Sequence, residues 1–387
     1  MGFFIPYANL KKLEEYKYQS EDKSLTTKYI LKPFWQKFVY IFPLWMAPNV
    51  VTLTGFGFIL LNLVTVFYYD PYLVSDQPRW TYFTYAIGLF LYQTFDACDG
   101  IHARRTGQSG PLGELFDHCV DAVNTTLGVL ISASVFGFGY SWLLVCAQFA
   151  TLANFYLSTW EEYHTHKLFL SEFSGPVEGI LAVIGLFIAT GIIGPELWQT
   201  EITQIDLSFL KLSPNFVVTP VNLFTIFSVV GLYFNIESAR KNVSNYYKNH
   251  RKSFEAYKGI LPFFAFYITV FGWLILNPLI LENYLLPFIL TIGLSVAFNV
   301  GRIIIGHLTK QGFPTSTPSS FIPITQIIIY LILIKIGYSP ESITGSLIWA
   351  GFGLSLGLYS MFIVEIIYEI TTFLDIYALS IKHPKND

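Results

Sequence analysis

Ten apolar stretches, each roughly long enough to cross a bilayer, leave this chain of 387 residues few folds to adopt. Their cores are residues 51–69, 82–99, 120–140, 142–157, 179–193, 216–234, 260–276, 284–305, 322–334 and 346–368. Hydrophobic periodicity does not tell a buried helix from a buried strand, but length does, and these runs are far too long for strands. Charged residues make up 13% of the sequence, where a soluble domain carries about 25%. The expected fold is an all-α polytopic membrane protein with about ten transmembrane helices. The third and fourth stretches are parted only by Gly139, Tyr140 and Ser141, so that boundary is the least marked.

Ahead of the first stretch, residues 1–48 mix Lys11, Lys12, Lys17, Lys28, Lys32 and Lys37 with Phe34, Trp35, Phe38, Tyr40 and Trp45. Aromatic rings at headgroup depth, with lysines toward water, make an N-terminal interfacial amphipathic segment. No compact apolar core lies near Met1, so no cleavable signal peptide is expected. With ten spans and this segment in the cytosol, 20 of the 23 lysines and arginines face the cytosol; Arg79, Lys211 and Lys335 face away. Positive residues favour the cytosolic side, which sets the orientation. The sequon Asn242-Val243-Ser244 then lies on the cytosolic side, unmodified. A polar insertion, 237–258, reads as a basic cytosolic loop between a membrane core, 49–236, and a C-terminal bundle and tail, 259–387. Cys98, Cys119 and Cys146 all sit in apolar segments and indicate no disulfide framework.

One polar stretch, residues 96–121 (DACDGIHARRTGQSGPLGELFDHCVD), stands where the second and third apolar stretches meet, and it holds four aspartates. A carboxylate beside the bilayer is costly without a cation partner, so intramembrane acids are functional candidates by default. Asp96 and Asp99 are spaced i,i+3, and Asp117 and Asp121 i,i+4. On helices each pair shares a face. Two antiparallel helices joined by a turn at 107–113 would bring the pairs together. Clustered carboxylates repel unless divalent cations stand between them, and oxygen-only ligation suits Mg²⁺, Mn²⁺ or Ca²⁺.

The spacing Asp96-x2-Asp99-Gly100-x2-Ala103-Arg104-x8-Gly113-x3-Asp117-x3-Asp121 fills all eight fixed positions of the signature of the CDP-alcohol phosphotransferases, a family the chain resembles. WMAPN from Trp45, WEEYHTH from Trp160, GPVEG from Gly175 and the tail DIYALSIKHPK resemble the eukaryotic choline/ethanolamine branch, over the whole chain. The resemblance implies transfer of phosphocholine or phosphoethanolamine from CDP-choline or CDP-ethanolamine to the hydroxyl of diacylglycerol, releasing CMP. It further implies a homodimer in the endoplasmic reticulum or Golgi membrane, with the site open to cytosolic nucleotide. No nucleic-acid partner is expected.

Within that reading Asp96, Asp99, Asp117 and Asp121 hold two Mg²⁺ ions, for which Mn²⁺ can substitute. Metals bridging diphosphate oxygens neutralise their charge and align nucleophile with leaving group. Gly100 lets the nucleotide approach the backbone closely or simply ends a helix. Arg104, the family's arginine, suits a phosphate contact, and Gly113 belongs to the same signature. Arg105 reads as an interfacial charge. Asn49 and Thr52, at the start of the first span, are either helix caps or nucleotide contacts. Glu114 supports the site or is a solvated first-turn acid. Asp121 is the family's traditional base. His118, characteristic of the eukaryotic branch, is better matched to proton abstraction near neutrality, leaving Asp121 as a ligand. On a helix it lies about 60° from the Asp121 direction.

The acids and histidines of residues 160–166 do not share one helical face, so an interfacial loop at the lipid entrance is expected there rather than a metal cluster. Glu178, Arg302 and Glu365 read as structural charge partners. Two rival classes fit less well. A membrane prenyltransferase would carry tighter aspartate clusters twice, and the back half of this chain has none. A transporter would show repeat-related broken helices, and no internal repeat is visible.

Overall fold

The computed structural model describes residues 2–16, 20–22, 24–170, 176–206 and 215–384; Lys17, Lys211, Lys385 and Gly175, used above, lie outside them. Its first helices are α1 (Tyr7–Leu10), α2 (Lys32–Phe38), α3 (Pro48–Tyr69), α4 (Trp80–Thr106) and α5 (Pro111–Phe136). Next come α6 (Trp142–Thr165), α7 (Pro176–Ile193), α8 (Pro220–Tyr247), α9 (His250–Tyr257) and α10 (Leu261–Leu276). The chain closes with α11 (Leu279–Asn283), α12 (Leu285–Leu308), α13 (Ile322–Ile336) and α14 (Pro340–Leu374). All ten apolar stretches fall mainly on helices. Among the described residues, seven helical runs are long and apolar enough to cross a membrane. These are α3, α5, α8, α9 continued into α10, α12, the run containing α13, and α14. α4 and α6, which carry acidic residues of the site, are 27 and 24 residues long. The all-α polytopic architecture stands, with seven helices meeting that measure where about ten were expected. Among the described residues, strands are confined to two short pairs: β1 (Ser20–Asp22) runs parallel to β2 (Leu168–Leu170), and β3 (Thr203–Asp206) antiparallel to β4 (Asn215–Val218).

α12 is the central post. Its apolar window is 83% buried, and it packs on α5, α6 and α14. A helix apolar on every side is one enclosed by others. Two glycines permit the approach: a methyl at Gly293 would fall 2.4 Å from Thr126 Oγ1, and one at Gly301 2.5 Å from Phe362 Cε1. α3 lies along both α4 and α5, and so holds the aspartate-bearing pair together.

The structure departs from two expectations. The segment 237–258 is not a loop: it continues α8 to Tyr247 and then forms α9. Polar residues on a helix that leaves the membrane look like a loop in sequence, because nothing apolar marks the helical period. The aromatic rings of the N-terminal segment do not all reach the surface. Tyr40 and Trp45 are exposed, but Trp35 is buried in a cluster with Val39, Val51, Phe95 and Cys98. Arg105 donates to the Val39 carbonyl (2.6 Å) and stacks over the exposed Tyr40 ring.

Arg302 and Glu365 meet through the N-terminal backbone: the Phe3 and Phe4 amides donate to Glu365, and Arg302 donates to the Phe4 carbonyl (2.9 Å). Glu178 accepts the Ser24 hydroxyl. Glu15, bonded to Lys12 and Lys310, is held down to about 2 by those two ammonium groups.

At the end of the bundle away from the signature, Asp70 is buried and accepts the Val74 and Ser75 amides (2.9 Å each) and the Ser134 hydroxyl (2.6 Å). Asp70→Ala leaves these donors unpaired, and is expected to destabilise the fold by roughly 2–4 kcal/mol. A lowered midpoint of thermal unfolding in detergent, with unaltered substrate KM in the surviving protein, is the measurement.

Candidate active site

The signature helices end where local chemistry ends them. Gly107 closes α4 in the left-handed region (φ 69°), and Pro111 opens α5 behind an extended Gly110. Both helices therefore run further than their apolar cores, and all four aspartates lie on helix rather than at helix ends. Three of them converge. Asp96, Asp99 and Asp117 each present an oxygen within 4.8 Å of the others. Asp121 stands outside that trio, its carboxylate accepting the hydroxyl of Tyr92 on α4.

The residues fit a cation. Asp96 Oδ1 and Asp117 Oδ1 are buried with no hydrogen-bond partner among the described residues. Three carboxylates this close repel one another, and two orphaned oxygens inside the cluster call for a hard divalent ion rather than for zinc.

Around the trio lie the other sequence candidates. The Thr52 hydroxyl donates to Asp99, so Thr52 touches the cluster from α3. Asn49, one turn earlier, does not: its side-chain amide donates to the Ala378 carbonyl (2.9 Å). A Cβ on Gly100 would meet only Arg104 Nη1, at 3.7 Å, and one on Gly113 would meet nothing within 4 Å. Both glycines thus border open space, and the Arg104 guanidinium reaches over Gly100. Glu114 is buried and accepts the Tyr16 hydroxyl (2.5 Å), so it is not a solvated first-turn acid.

His118 is held firmly. Nδ1 lies 2.9 Å from the Glu114 carbonyl. A carbonyl only accepts, so Nδ1 carries a proton and Nε2 is the nitrogen left to exchange one. Nε2 faces Glu162 Oε2 at 3.3 Å, close enough for an ion pair but not aligned as a hydrogen bond.

That contact overturns the loop expected at residues 160–166. Residues 160–165 are the last turns of α6, with Trp160, Glu161, Glu162 and His164 buried, and His166 caps them in the left-handed region. The segment's residues radiate as a helix requires: Glu162 toward His118, Glu161 toward Asn242 (2.7 Å), and His164 toward Tyr247 (3.0 Å). Glu162 is the residue that sequence reasoning missed. The helical period of α6, carried on from Tyr156 and Trp160, was the available signal.

A family model described as CDP-alcohol phosphatidyltransferase matches residues 45–205, the segment that holds the acidic helix pair and Glu162. Cholinephosphotransferase 1 of Saccharomyces cerevisiae is 52% identical over 398 aligned residues, covering 100% of both chains. Choline/ethanolaminephosphotransferase 1 of the same yeast is 52% identical over 396, again covering 100% of both. Choline/ethanolaminephosphotransferase 2 of Arabidopsis thaliana is 34% identical over 95% of this chain and 96% of its own. A likeness of this depth running end to end, around an acidic cluster that fits a divalent ion, makes the chain a member of the CDP-alcohol phosphatidyltransferase family.

Proposed function

We propose that this membrane transferase moves phosphocholine from CDP-choline to the hydroxyl of 1,2-diacylglycerol, giving phosphatidylcholine and CMP, and that it accepts CDP-ethanolamine as a second donor. The convergence of Asp96, Asp99 and Asp117 beside the His118–Glu162 pair carries the reading. Asp96, Asp99 and Asp117, with Asp121 beside them, are the residues to hold two Mg²⁺ ions or Mn²⁺ in their place. Bound there, the metal supplies neutralisation of diphosphate charge.

The chain's own groups do the rest. Arg104, over Gly100, is placed to take phosphate oxygens in bidentate fashion. The diacylglycerol oxygen attacks the phosphorus that bears choline, the diphosphate bond breaks, and CMP leaves. His118 Nε2 accepts the hydroxyl proton, and Glu162 stabilises the imidazolium formed. The Glu114 carbonyl keeps the ring in the tautomer this requires.

The site end also gathers Arg104, Arg105, Arg240, Lys310 and Lys382, which supports a cytosolic orientation in an endoplasmic reticulum or Golgi membrane. A homodimer, and a membrane core at 49–236 with an appended bundle, complete the proposal. Cysteines at Ser109 and Asp76 are expected to react with an impermeant thiol reagent from the cytosolic and lumenal sides respectively, and the opposite pattern would reverse the orientation. The function itself is tested with purified protein in diacylglycerol-containing vesicles given CDP-choline and CDP-ethanolamine side by side. A higher kcat/KM for CDP-choline is expected, and failure to use either donor rejects the proposal.

A further inference from the structure

α14 stops at Leu374, where Asp375 enters the left-handed region (φ 54°) and redirects the chain. The tail that follows is pinned on both sides of the signature. Asn49 donates to the Ala378 carbonyl (2.9 Å), and Gln108, in the turn between α4 and α5, donates to the His383 carbonyl (3.0 Å). Asn49 lies one helical turn from Thr52, which itself bonds Asp99. Gln108 lies four residues beyond Arg104. The two anchors therefore stand on the two elements that flank Asp99, Gly100 and Arg104 on α4, namely α3 and the α4–α5 turn.

The tail is also stapled to itself. The Asp375 carboxylate takes the Lys382 ammonium and His383 Nε2 (3.1 Å), and these partners hold Asp375 below the usual carboxylate range. Ile376 and Ala378 pack on the main core, whereas Tyr377 and Leu379 face outward. The tail spans from α3 to the α4–α5 turn on two neutral amide hydrogen bonds. Such bonds contribute little each, which suits a segment that closes over a ligand and lifts again at product release.

We propose that residues 375–384 form the outer wall of the nucleotide end of the site, and that Asn49 is a positioning residue that acts through this tail and not on the nucleotide. The inference rests on the nucleotide assignment made under the proposed function. It changes the role of Asn49 and adds Gln108 and the tail to the residues that govern donor binding.

The test uses the full chain with Gln108→Cys and His383→Cys, in a background where the exposed Cys146 is replaced by serine; Cys98 and Cys119 are buried. A short, reducible bifunctional thiol reagent joins the pair. Linked protein is expected to lose phosphatidylcholine formation from CDP-choline by about tenfold or more, because the wall no longer lifts. Reduction restores the rate. A linked protein that turns over at full rate, or a pair that does not link at all, overturns the proposal. Absence of transfer from CDP-choline in the unsubstituted protein would instead remove the nucleotide assignment, and the wall with it.

Asn49 is tested separately. Asn49→Ala is expected to raise KM for CDP-choline by roughly five- to tenfold, the scale of one hydrogen bond, with kcat within about twofold. Combined with Asp375→Ala, which unstaples the tail, it is expected to cost no more than the larger single change. Effects that multiply in the double variant would make Asn49 a direct nucleotide contact and sink the inference.

Discussion

Asp99→Ala is expected to lower phosphocholine transfer by roughly 10³-fold or more, the rate equivalent of about 4 kcal/mol of lost charge stabilisation. Asp96→Ala and Asp117→Ala are expected to do the same. Each removes one of three carboxylates whose oxygens lie within 4.8 Å, and leaves too few ligands to counter the donor's diphosphate. The loss is expected in kcat and in the divalent-ion concentration needed, with the protein still inserted in membranes and its helix content unchanged. Asp121→Asn is expected to be milder. That residue stands outside the trio, bonded to Tyr92, so its removal raises the Mg²⁺ requirement more than it lowers the saturated rate. Near-normal turnover of any one trio variant at ordinary Mg²⁺ would remove the metal assignment.

The second large effect belongs to His118. His118→Ala is expected to cut kcat by roughly 10²–10⁴, the usual range for losing a general base. Metal requirement and CDP-choline KM are expected to stay within about twofold, since the ring bonds a backbone carbonyl and faces Glu162 rather than the trio. Glu162→Gln keeps the shape but removes the charge that supports the imidazolium, so it is expected to lower kcat in the same direction. The double variant is expected to be little worse than His118→Ala, because the two residues act as one unit. If His118→Ala turns over normally, Asp121 is the base and the histidine is only its neighbour.

Much of this was legible in the residues. Spacing alone paired the aspartates on helix faces, and run length alone excluded strands. The Gly107–Pro111 turn that joins the two helices carries its own chemistry in a left-handed glycine and an N-terminal proline. What stayed hidden has two physical causes. Polar helix looks like loop: residues 237–258 offer few apolar positions to mark the helical period, and at 160–166 the period continued from Tyr156 and Trp160 is masked by adjacent acids and histidines. Contacts between distant segments leave no local pattern, so the Glu162–His118 pair, the Tyr92–Asp121 bond and the tail on Asn49 appear only once the helices are packed. Asn49 shows the limit best. Its position at the mouth was readable, and its partner, 329 residues away, was not.

Matched product formation tests the central claim most directly. Purified protein is placed in vesicles, stripped with a chelator, and given CDP-choline with or without diacylglycerol before Mg²⁺ is restored. CMP and phosphatidylcholine are counted in the same sample. The expected result is equal amounts of the two, only when both diacylglycerol and the divalent ion are present. Phosphatidylcholine formed in the chelated protein, or CMP released at the same rate without diacylglycerol, would contradict a metal-dependent transfer to the lipid hydroxyl at this aspartate cluster.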